Sequence, residues 1–578
     1  MSSRGGKGLR AACAGLMGAW GLAMVAWGGA PSSELSNSGA AIPAEVRSPD
    51  GSTPLMWAVY RGDVAQVKKL LKAGARVDEG NDYGATPMQM AATLGNTAIL
   101  KLLLDHGANA DSPNPEGQTA LMAVARTGNV EAAKLLISHG ATVDARERWG
   151  DQTALMWASA RRHPQMMELL ISGGADVNAR SAWRNWERHV TAESRAKRTN
   201  TGGLTPLMYA ARENCGACVE VLLKHHVDVD KPDPDGVAPV TFAILNDNWD
   251  IAKRLIDAGA DVNQWDMYGR GPLYAAAAAG GGRGGRNIVR GGGGGGPFGG
   301  GGGGNPLDPP DQATPMDVIT LLLDKGANPN MQLFYRPGGG GIGGGAARGA
   351  TPLMAAAGAD DADMVKLLLA HGADAKLYQA DNQTPIMAAL GGRGAFGAVA
   401  VIKLLHDAGT DVNVMSLQHH MLRTRGGTAL HFAVRAGSAQ AISQLVAWGA
   451  DVNARDPDGL TALDYAMARG YVPFQGQRQP PRMDLAKLLR DSGATVELAS
   501  VPNWPPVGPP FITEAVIWPL SPGDGLEAGS IKYPPMYPPG DLPKALAAQG
   551  VPLLPGAFPR VIAAPAATAS PPVAQLRP

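Results

Sequence analysis

The stretch that decides the fold is residues 53–85, TPLMWAVYRGDVAQVKKLLKAGARVDEGNDYGA. Thr53 is a good helix N-cap and Pro54 suits the first helical position, so the stretch opens with a helix. After a polar break at residues 61–63, apolar residues recur at i, i+3 and i+4, which predicts a second amphipathic helix. That helix stops at Gly74, where a left-handed residue is wanted, and turn residues follow. The predicted unit is helix, turn, helix, hairpin.

The opening motif recurs along most of the chain, usually after 33 residues and after 52, 80 and 44 residues where insertions occur. One such unit cannot bury its apolar face alone, so the copies must stack into a solenoid with one continuous core. The eleven copies begin at Thr53, Thr86, Thr119, Thr153, Thr205, Ala238, Gly271, Thr351, Thr384, Thr428 and Thr461.

The unit resembles the ankyrin repeat, which has a 33-residue period and a T-P-L-H-x-A motif. The resemblance implies an all-α ankyrin-repeat solenoid of about eleven units. The motif's histidine remains at His431, and junctions without it are expected to depend more on packing. His106, His139 and His371 precede the helix-ending glycine and are expected to cap helices. Methionine replaces the motif histidine at Met56, Met122, Met156, Met208, Met354 and Met387.

Composition changes divide the chain into segments with different expected structures. Glycine-rich inserts and the proline-rich tail cannot bury enough apolar surface to order themselves, so we expect them to be disordered. Residues 183–200, which contain two tryptophans, are expected to form a short amphipathic helix. The predicted segments are 1–30, a signal peptide or anchor; 31–47, a linker; 48–268, repeats 1–6 with an insert at 183–202; 269–348, repeat 7 with Gly-rich inserts at 280–312 and 331–348; 349–497, repeats 8–11; and 498–578, the tail.

The first residues have the pattern of an export signal. Arg4, Lys7 and Arg10 precede an uncharged stretch at 11–33, and small residues before Pro31 suit cleavage. An uncleaved membrane anchor is the alternative. Either version places the repeats outside the cytoplasm, so we expect a periplasmic or cell-envelope protein, of bacterial type.

Charge and motifs exclude several functions. Lys+Arg and Asp+Glu are both 51, so no charge excess favours nucleic acid or an anionic membrane. The sequence contains no recognised hydrolase, zinc-protease, nucleotide-binding or kinase motif, and predicts a non-enzyme without cofactor or metal. Cys215 and Cys218 stand where a second helix begins, and three interpretations stay open: a reactive thiol pair, a structural disulfide, or two small apolar residues.

The ankyrin resemblance implies that hairpin tips and first-helix ends line a concave groove that binds another protein. Aromatic and arginine side chains dominate interface energetics, although any single arginine is more simply a solvated consensus residue. In register, the arginines form a basic stripe suited to an acidic partner. The tips offer Asp82, Tyr83, Glu147, Arg148, Trp149, Asp235, Trp265, Met267 and Tyr268, and the first-helix ends offer Tyr60, Arg61, Arg126, Arg161, Arg162, Arg212, Arg435 and Arg469.

The favoured function is therefore a monomeric protein-interaction scaffold. Two alternatives remain. One is a thiol redox accessory protein that uses Cys215 and Cys218, and the other is a mechanical envelope spacer that extends from the N-terminal anchor to the tail.

Overall fold

The structure is a computed structural model that describes residues 47–184, 201–266, 268–280, 312–333, 349–379, 382–391, 398–416, 426–456, 459–469 and 480–495. The described residues form 22 helices and one pair of short strands. In chain order the helices are α1 Pro54–Tyr60, α2 Val64–Lys72, α3 Pro87–Thr93, α4 Thr97–Asp105, α5 Ala120–Thr127, α6 Val130–Ser138, α7 Ala154–Ala160, α8 Pro164–Ser172, α9 Pro206–Arg212, α10 Gly216–Lys224, α11 Pro239–Leu245, α12 Trp249–Asp257, α13 Pro272–Gly280, α14 Pro315–Asp324, α15 Pro352–Gly358, α16 Ala362–Ala370, α17 Pro385–Gly391, α18 Val399–Asp407, α19 Ala429–Ala436, α20 Ala439–Ala447, α21 Ala462–Ala466 and α22 Met483–Asp491.

The helices pair into eleven units, each with one odd-numbered first helix and one even-numbered second helix. Within a unit the two helices pack together, and each first helix also packs against the first helix of the next unit. Second helices form a parallel layer in the same way. One hydrophobic core runs from Leu55 in unit 1 to Ala494 in unit 11. The predicted all-α solenoid is confirmed, and its units share one interior.

The first helices begin as the sequence predicts. In unit 1, the Thr53 side chain accepts a hydrogen bond from the Met56 backbone N–H at 3.2 Å, and Pro54 occupies the first turn. Several second helices begin at a polar cap of the same kind, such as Asn96, whose Oδ1 accepts from Ile99 N–H at 3.1 Å. These caps satisfy backbone donors that a short helix otherwise leaves unpaired.

The second helices end on the predicted histidine caps. Nδ1 of His106, His139 and His371 lies 2.8, 2.9 and 3.0 Å from the carbonyl oxygen four residues earlier. The next residue is left-handed, as at Gly107 with φ +83°. In unit 5 the left-handed residue is His226, with φ +56°. Histidine has a Cβ and adopts a positive φ less readily than glycine does.

A ladder of Asp and Asn side chains joins successive hairpins. On one rung, Oδ1 of Asn413 accepts from Asp451 N–H at 2.8 Å, and its Nδ2 donates to Gly449 O at 3.0 Å. Eight other rungs have the same backbone bond, in which a side-chain oxygen of one unit accepts from a backbone N–H of the next unit. Their acceptors are Asp78, Asp111, Asp144, Asn178, Asp230, Asn263, Asn330 and Asn453.

The rung between units 8 and 9 lacks the acceptor. Lys376 occupies this position and is exposed, and the Thr410 hydroxyl instead donates to Ala375 O at 2.8 Å. Replacing Lys376 with asparagine should complete the ladder and stabilise the junction by about 1 kcal/mol, the usual net value of a hydrogen bond. Slower hydrogen exchange in residues 399–416 is the measurement that checks this.

The matched control is Lys376→Asp, which supplies the acceptor as a carboxylate. Burial, together with the nearby Asp176 charge, raises the pKa of Asp144, and burial raises that of Asp230 on their rungs. A charged rung is therefore less favourable at neutral pH, and Lys376→Asp should gain less than Lys376→Asn. Equal or faster exchange in Lys376→Asn than in the unchanged protein would show that the ladder does not stabilise this junction.

The insert in unit 4 begins and ends as paired strands. β1, Trp183–Arg184, is antiparallel to β2, Thr201–Gly202. The predicted helix is therefore wrong at its first two residues, because backbone pairing with β2 holds them extended. Residues 185–200 lie outside the described part of the chain, as do the predicted signal or anchor at 1–30, most of both Gly-rich inserts and the tail. Among the described helices, none has the length and hydrophobicity to cross a membrane.

Candidate groove interface

The candidate site is the surface formed by first-helix ends and hairpin tips, here called the groove face. Each first helix starts at a hairpin and runs away from it, so tips and helix ends border opposite edges of the same face. α7 has seven residues, which places these edges about 10 Å apart in unit 4. A ligand that touches both edges must therefore cross the first helices.

The tip of unit 3, which directly precedes unit 4, holds a large aromatic side chain in a fixed position. Glu147 is 3% exposed, and its carboxylate accepts from the backbone N–H groups of Trp149, Gly150 and Gln152 at 2.6, 2.7 and 3.1 Å. The tip is also tied to the preceding one, because Arg148 N–H donates to Glu116 O at 2.8 Å. The Trp149 side chain nevertheless remains 78% exposed, so a rigid loop presents it to solvent.

The other predicted aromatic residues divide between exposed and buried positions. Tyr60 and Tyr83 are 43% and 60% exposed, as a binding role requires. Tyr268 is 6% exposed, so the structure does not present it at a tip. Asp266 accepts from the Tyr268 and Arg270 backbone N–H groups and forms an ion pair with Arg270 at 2.7 Å. These bonds fold this tip inward, and the Arg270 guanidinium lies 5.8 Å from the Tyr268 ring centre.

Several tip residues named from the sequence are likewise not available to a partner. Glu147, Asp235 and Trp265 are 3%, 7% and 1% exposed, because they belong to the tips' own packing and hydrogen bonding. Met267 lies outside the described residues.

Four arginines of the groove face have no carboxylate partner in the described part of the chain. This N-terminal arginine cluster comprises Arg61, Arg126, Arg148 and Arg161, all exposed and all in units 1–4 or their tips. Partial burial, and then the charge of Arg161, lowers the pKa of Arg126. The two guanidinium groups are therefore close enough to repel each other.

The remaining predicted arginines are engaged within the fold. Arg212 pairs with Glu213 at 2.8 Å and Arg469 with Asp464 at 3.5 Å. Arg435 lies over the rings of Phe432 and Tyr465, at 4.2 and 5.3 Å, and burial lowers its pKa. These groups stabilise the fold and have less charge to offer a partner than the N-terminal arginine cluster.

Arg162 is also committed to a contact within the chain. Its backbone is left-handed, with φ +62°, and its guanidinium donates to Asn214 O of unit 5 at 3.5 Å. It therefore bridges two units, whereas its neighbour Arg161 faces solvent.

Comparison with known proteins agrees with the repeat architecture. The family model described as ankyrin repeats (3 copies) matches residues 34–114, 95–181, 188–266, 207–290, 312–416 and 395–497, which is well over half of the chain. The chain belongs to the ankyrin repeat family. Ankyrin repeats bind other proteins and generally act as non-enzymatic interaction modules.

Solved structures include similar ankyrin domains. The ankyrin repeat domain of Bcl-3, described as a unique member of the IkappaB protein family, is 24% identical with a TM-score of 0.33. The alignment covers 39% of this chain and 94% of that one. No curated protein matches the chain.

The ankyrin motif's histidine bond across the repeat junction is present in unit 10. His431 is fully buried, its Nδ1 accepts from Thr428 N–H at 3.1 Å, and its Nε2 lies 3.1 Å from the carbonyl oxygen of Leu460, which directly precedes unit 11. A backbone N–H only donates and a carbonyl only accepts, so the neutral Nε2–H tautomer fits both partners. In unit 2, Gln89 supplies the same bond, with Nε2 donating to Gln118 O, which the sequence analysis did not identify.

The two cysteines of ankyrin unit 5 form a disulfide at a helix start. Cys215 and Cys218 are 5% and 0% exposed and are joined to each other, and Cys215 Sγ accepts from Cys218 N–H at 3.2 Å. The pair therefore occupies the N-cap and N3 positions of α10; in units 1, 2, 3, 8 and 10 an Asp, Asn or Ser side chain caps the second helix. The cysteines are only three positions apart in the sequence, so the bond constrains little of the unfolded chain and acts locally.

A pair of variants separates the cap from the covalent bond. Cys215→Ser with Cys218→Ala removes the disulfide but keeps an N-cap oxygen, whereas Cys215→Ala with Cys218→Ala removes both. The second variant should expose α10 to hydrogen exchange more than the first, by about 1 kcal/mol of local stability. Equal exchange at α10 in the two variants would mean that the N-cap bond contributes nothing measurable.

Proposed function

We propose that this ankyrin protein is an exported, non-enzymatic scaffold that binds a partner protein through its groove face in the periplasm or cell envelope. The observation that carries the proposal is the combination of exposed Trp149, on a tip held by Glu147, with arginines that have no carboxylate partner among the described residues. Rigid aromatic and arginine groups are the side chains that supply most interface energy. Binding then requires little ordering of the scaffold.

The proposed location is supported by the N-terminal sequence and by the disulfide. A basic segment followed by an uncharged one is the pattern of an export signal, and disulfides persist outside the reducing cytoplasm. Intact mass of the protein recovered from the cell envelope tests this part. A mature chain beginning at Pro31 is expected, and retention of residues 1–30 on a cytoplasmic product would contradict export.

Site-specific photocrosslinking tests the binding function. A photoreactive residue in place of Trp149 should capture the same protein in repeated experiments in the producing cells. The control places it at Lys134, an exposed position on α6, which lies away from the groove face. Capture from position 149 but not from 134 is expected. Equal capture from both positions, or none from 149, would contradict the proposal.

The burial of the disulfide opposes the redox alternative. An exchange reaction requires an attacking thiolate to reach a sulfur atom, and Cys218 is fully buried while Cys215 is 5% exposed. Slow reduction of the folded protein by dithiothreitol, relative to the unfolded chain, is the corresponding expectation.

A further inference from the structure

We propose that Arg126 and Arg161 form a binding site for an acidic segment of the partner protein, whose carboxylates they hold at the ends of the first helices α5 and α7. The inference rests on the proposed function and names the chemistry of the partner that the groove face accepts. Its basis is a pair of positive charges in adjacent units that have no carboxylate partner among the described residues.

The structure keeps these arginines in place. The Arg126 guanidinium lies 6.0 Å from the Trp157 ring centre of the next unit, at the outer limit of a cation–π contact. The Arg126 carbonyl is 3.2 Å from Nε2 of His163, which fixes the end of α5 against unit 4. Arg161 directly follows α7 as its C-cap. Both side chains therefore project from anchored helix ends, so binding needs no rearrangement of the backbone.

Their electrostatics favour an anion between them. Partial burial, and second the charge of Arg161, lower the pKa of Arg126, so the two guanidinium groups repel each other. A carboxylate close to both removes that repulsion and can accept forked hydrogen bonds from guanidinium groups. Along the rest of the groove face, Arg212 and Arg469 already have carboxylate partners, and an acidic segment there would compete with Glu213 and Asp464.

The carboxylates of the neighbouring hairpin tips do not fill this role in the described part of the chain. Asp151 pairs with Arg146 at 2.5 Å, and Glu147 is buried under its own tip. Arg148 lies at a hairpin tip, on the opposite edge of the groove face, where its guanidinium donates to Pro115 O at 3.4 Å. The pair Arg126 and Arg161 is therefore the part of the N-terminal arginine cluster with the clearest unmet positive charge.

A fluorescein-labelled peptide of about ten glutamates is the probe for the site, measured by fluorescence anisotropy on the full-length protein. We expect binding that weakens with added salt and falls at least tenfold in Arg126→Gln/Arg161→Gln. The control, Lys101→Gln/Lys134→Gln, also removes two positive charges, but from the second helices α4 and α6. It should bind the peptide as tightly as the unchanged protein does. Circular dichroism of both double variants verifies that the helices remain.

Three results would overturn the inference. One is equal loss of binding in the two double variants, which would mean net charge alone attracts the probe. Another is tighter binding of a single-stranded DNA of equal charge, which would indicate a nucleic-acid surface. The third comes from placing the photoreactive residue at position 149 of Arg126→Gln/Arg161→Gln: this protein would capture the partner as efficiently as the protein that keeps both arginines. That last result would leave groove binding intact, whereas absent capture in the unchanged protein would remove the proposed function itself.

Discussion

Replacing Leu136 with alanine is expected to lower the local free energy of unfolding around unit 3 by about 3 kcal/mol. Leu136 lies in α6, is fully buried and belongs to the core that runs through all eleven units. Truncating a buried leucine removes apolar contact and leaves a cavity, which usually costs between about 2 and 5 kcal/mol. Because each unit contacts only its neighbours, the loss should concentrate in units 2–4.

Hydrogen exchange measured by mass spectrometry distinguishes this local effect from a global one. Exchange should accelerate in α3–α8 and stay unchanged in α19–α22 of units 10 and 11. Lys134→Ala, on the same helix but exposed, is the matched control and should change little. Uniform acceleration along the chain would show that the array unfolds as a single cooperative unit.

The second large effect is a pH dependence centred on His431. Burial lowers the pKa of His431 to about 4, whereas an unfolded histidine titrates near its ordinary value of 6.5. Protonation at Nδ1 would also displace the Thr428 N–H that this nitrogen accepts. The folded pKa lies below the unfolded one, so the contribution to stability is complete above pH 6.5 and disappears as the pH falls toward 4. The shift corresponds to about 3 kcal/mol.

His431→Met is the informative variant, because six other units carry methionine at this position. The variant loses the Leu460 bond at neutral pH, but its units 10 and 11 should show a shallower decline in stability between pH 6.5 and 4 than the unchanged protein. Local hydrogen exchange at α19–α22, corrected for the intrinsic pH effect, measures the difference. Identical pH profiles for both proteins would contradict the role assigned to His431.

Local signals determined most of the fold. Thr53 and Pro54 mark a helix start that short-range sterics and capping alone specify, and the same holds at most later copies. His106 and its equivalents were recognisable as caps, because their position before the helix-ending glycine is local too. The extended ends of the 183–202 insert were not predicted, since they depend on pairing with a distant strand.

The site was less predictable, because availability depends on partners that the sequence does not place. Tyr83 and Tyr268 occupy equivalent tip positions, yet one is 60% exposed and the other 6%. Arg126 and Arg212 have the same place in their units, but only Arg212 is followed by a glutamate that pairs with it. Gln89 shows the converse case, in which a different residue type makes the family's junction bond.

The central claim is that the groove's available positive charge lies in units 1–4. Labelling the full-length protein with phenylglyoxal, which modifies accessible arginines, and locating the products by mass spectrometry tests this claim without a partner. Arg61, Arg148 and Arg161 are expected to react fastest and Arg126 more slowly because it is partly buried, all ahead of Arg270, Arg435 and Arg469. Faster labelling of Arg435 or Arg469 than of Arg61 and Arg161 would contradict the account.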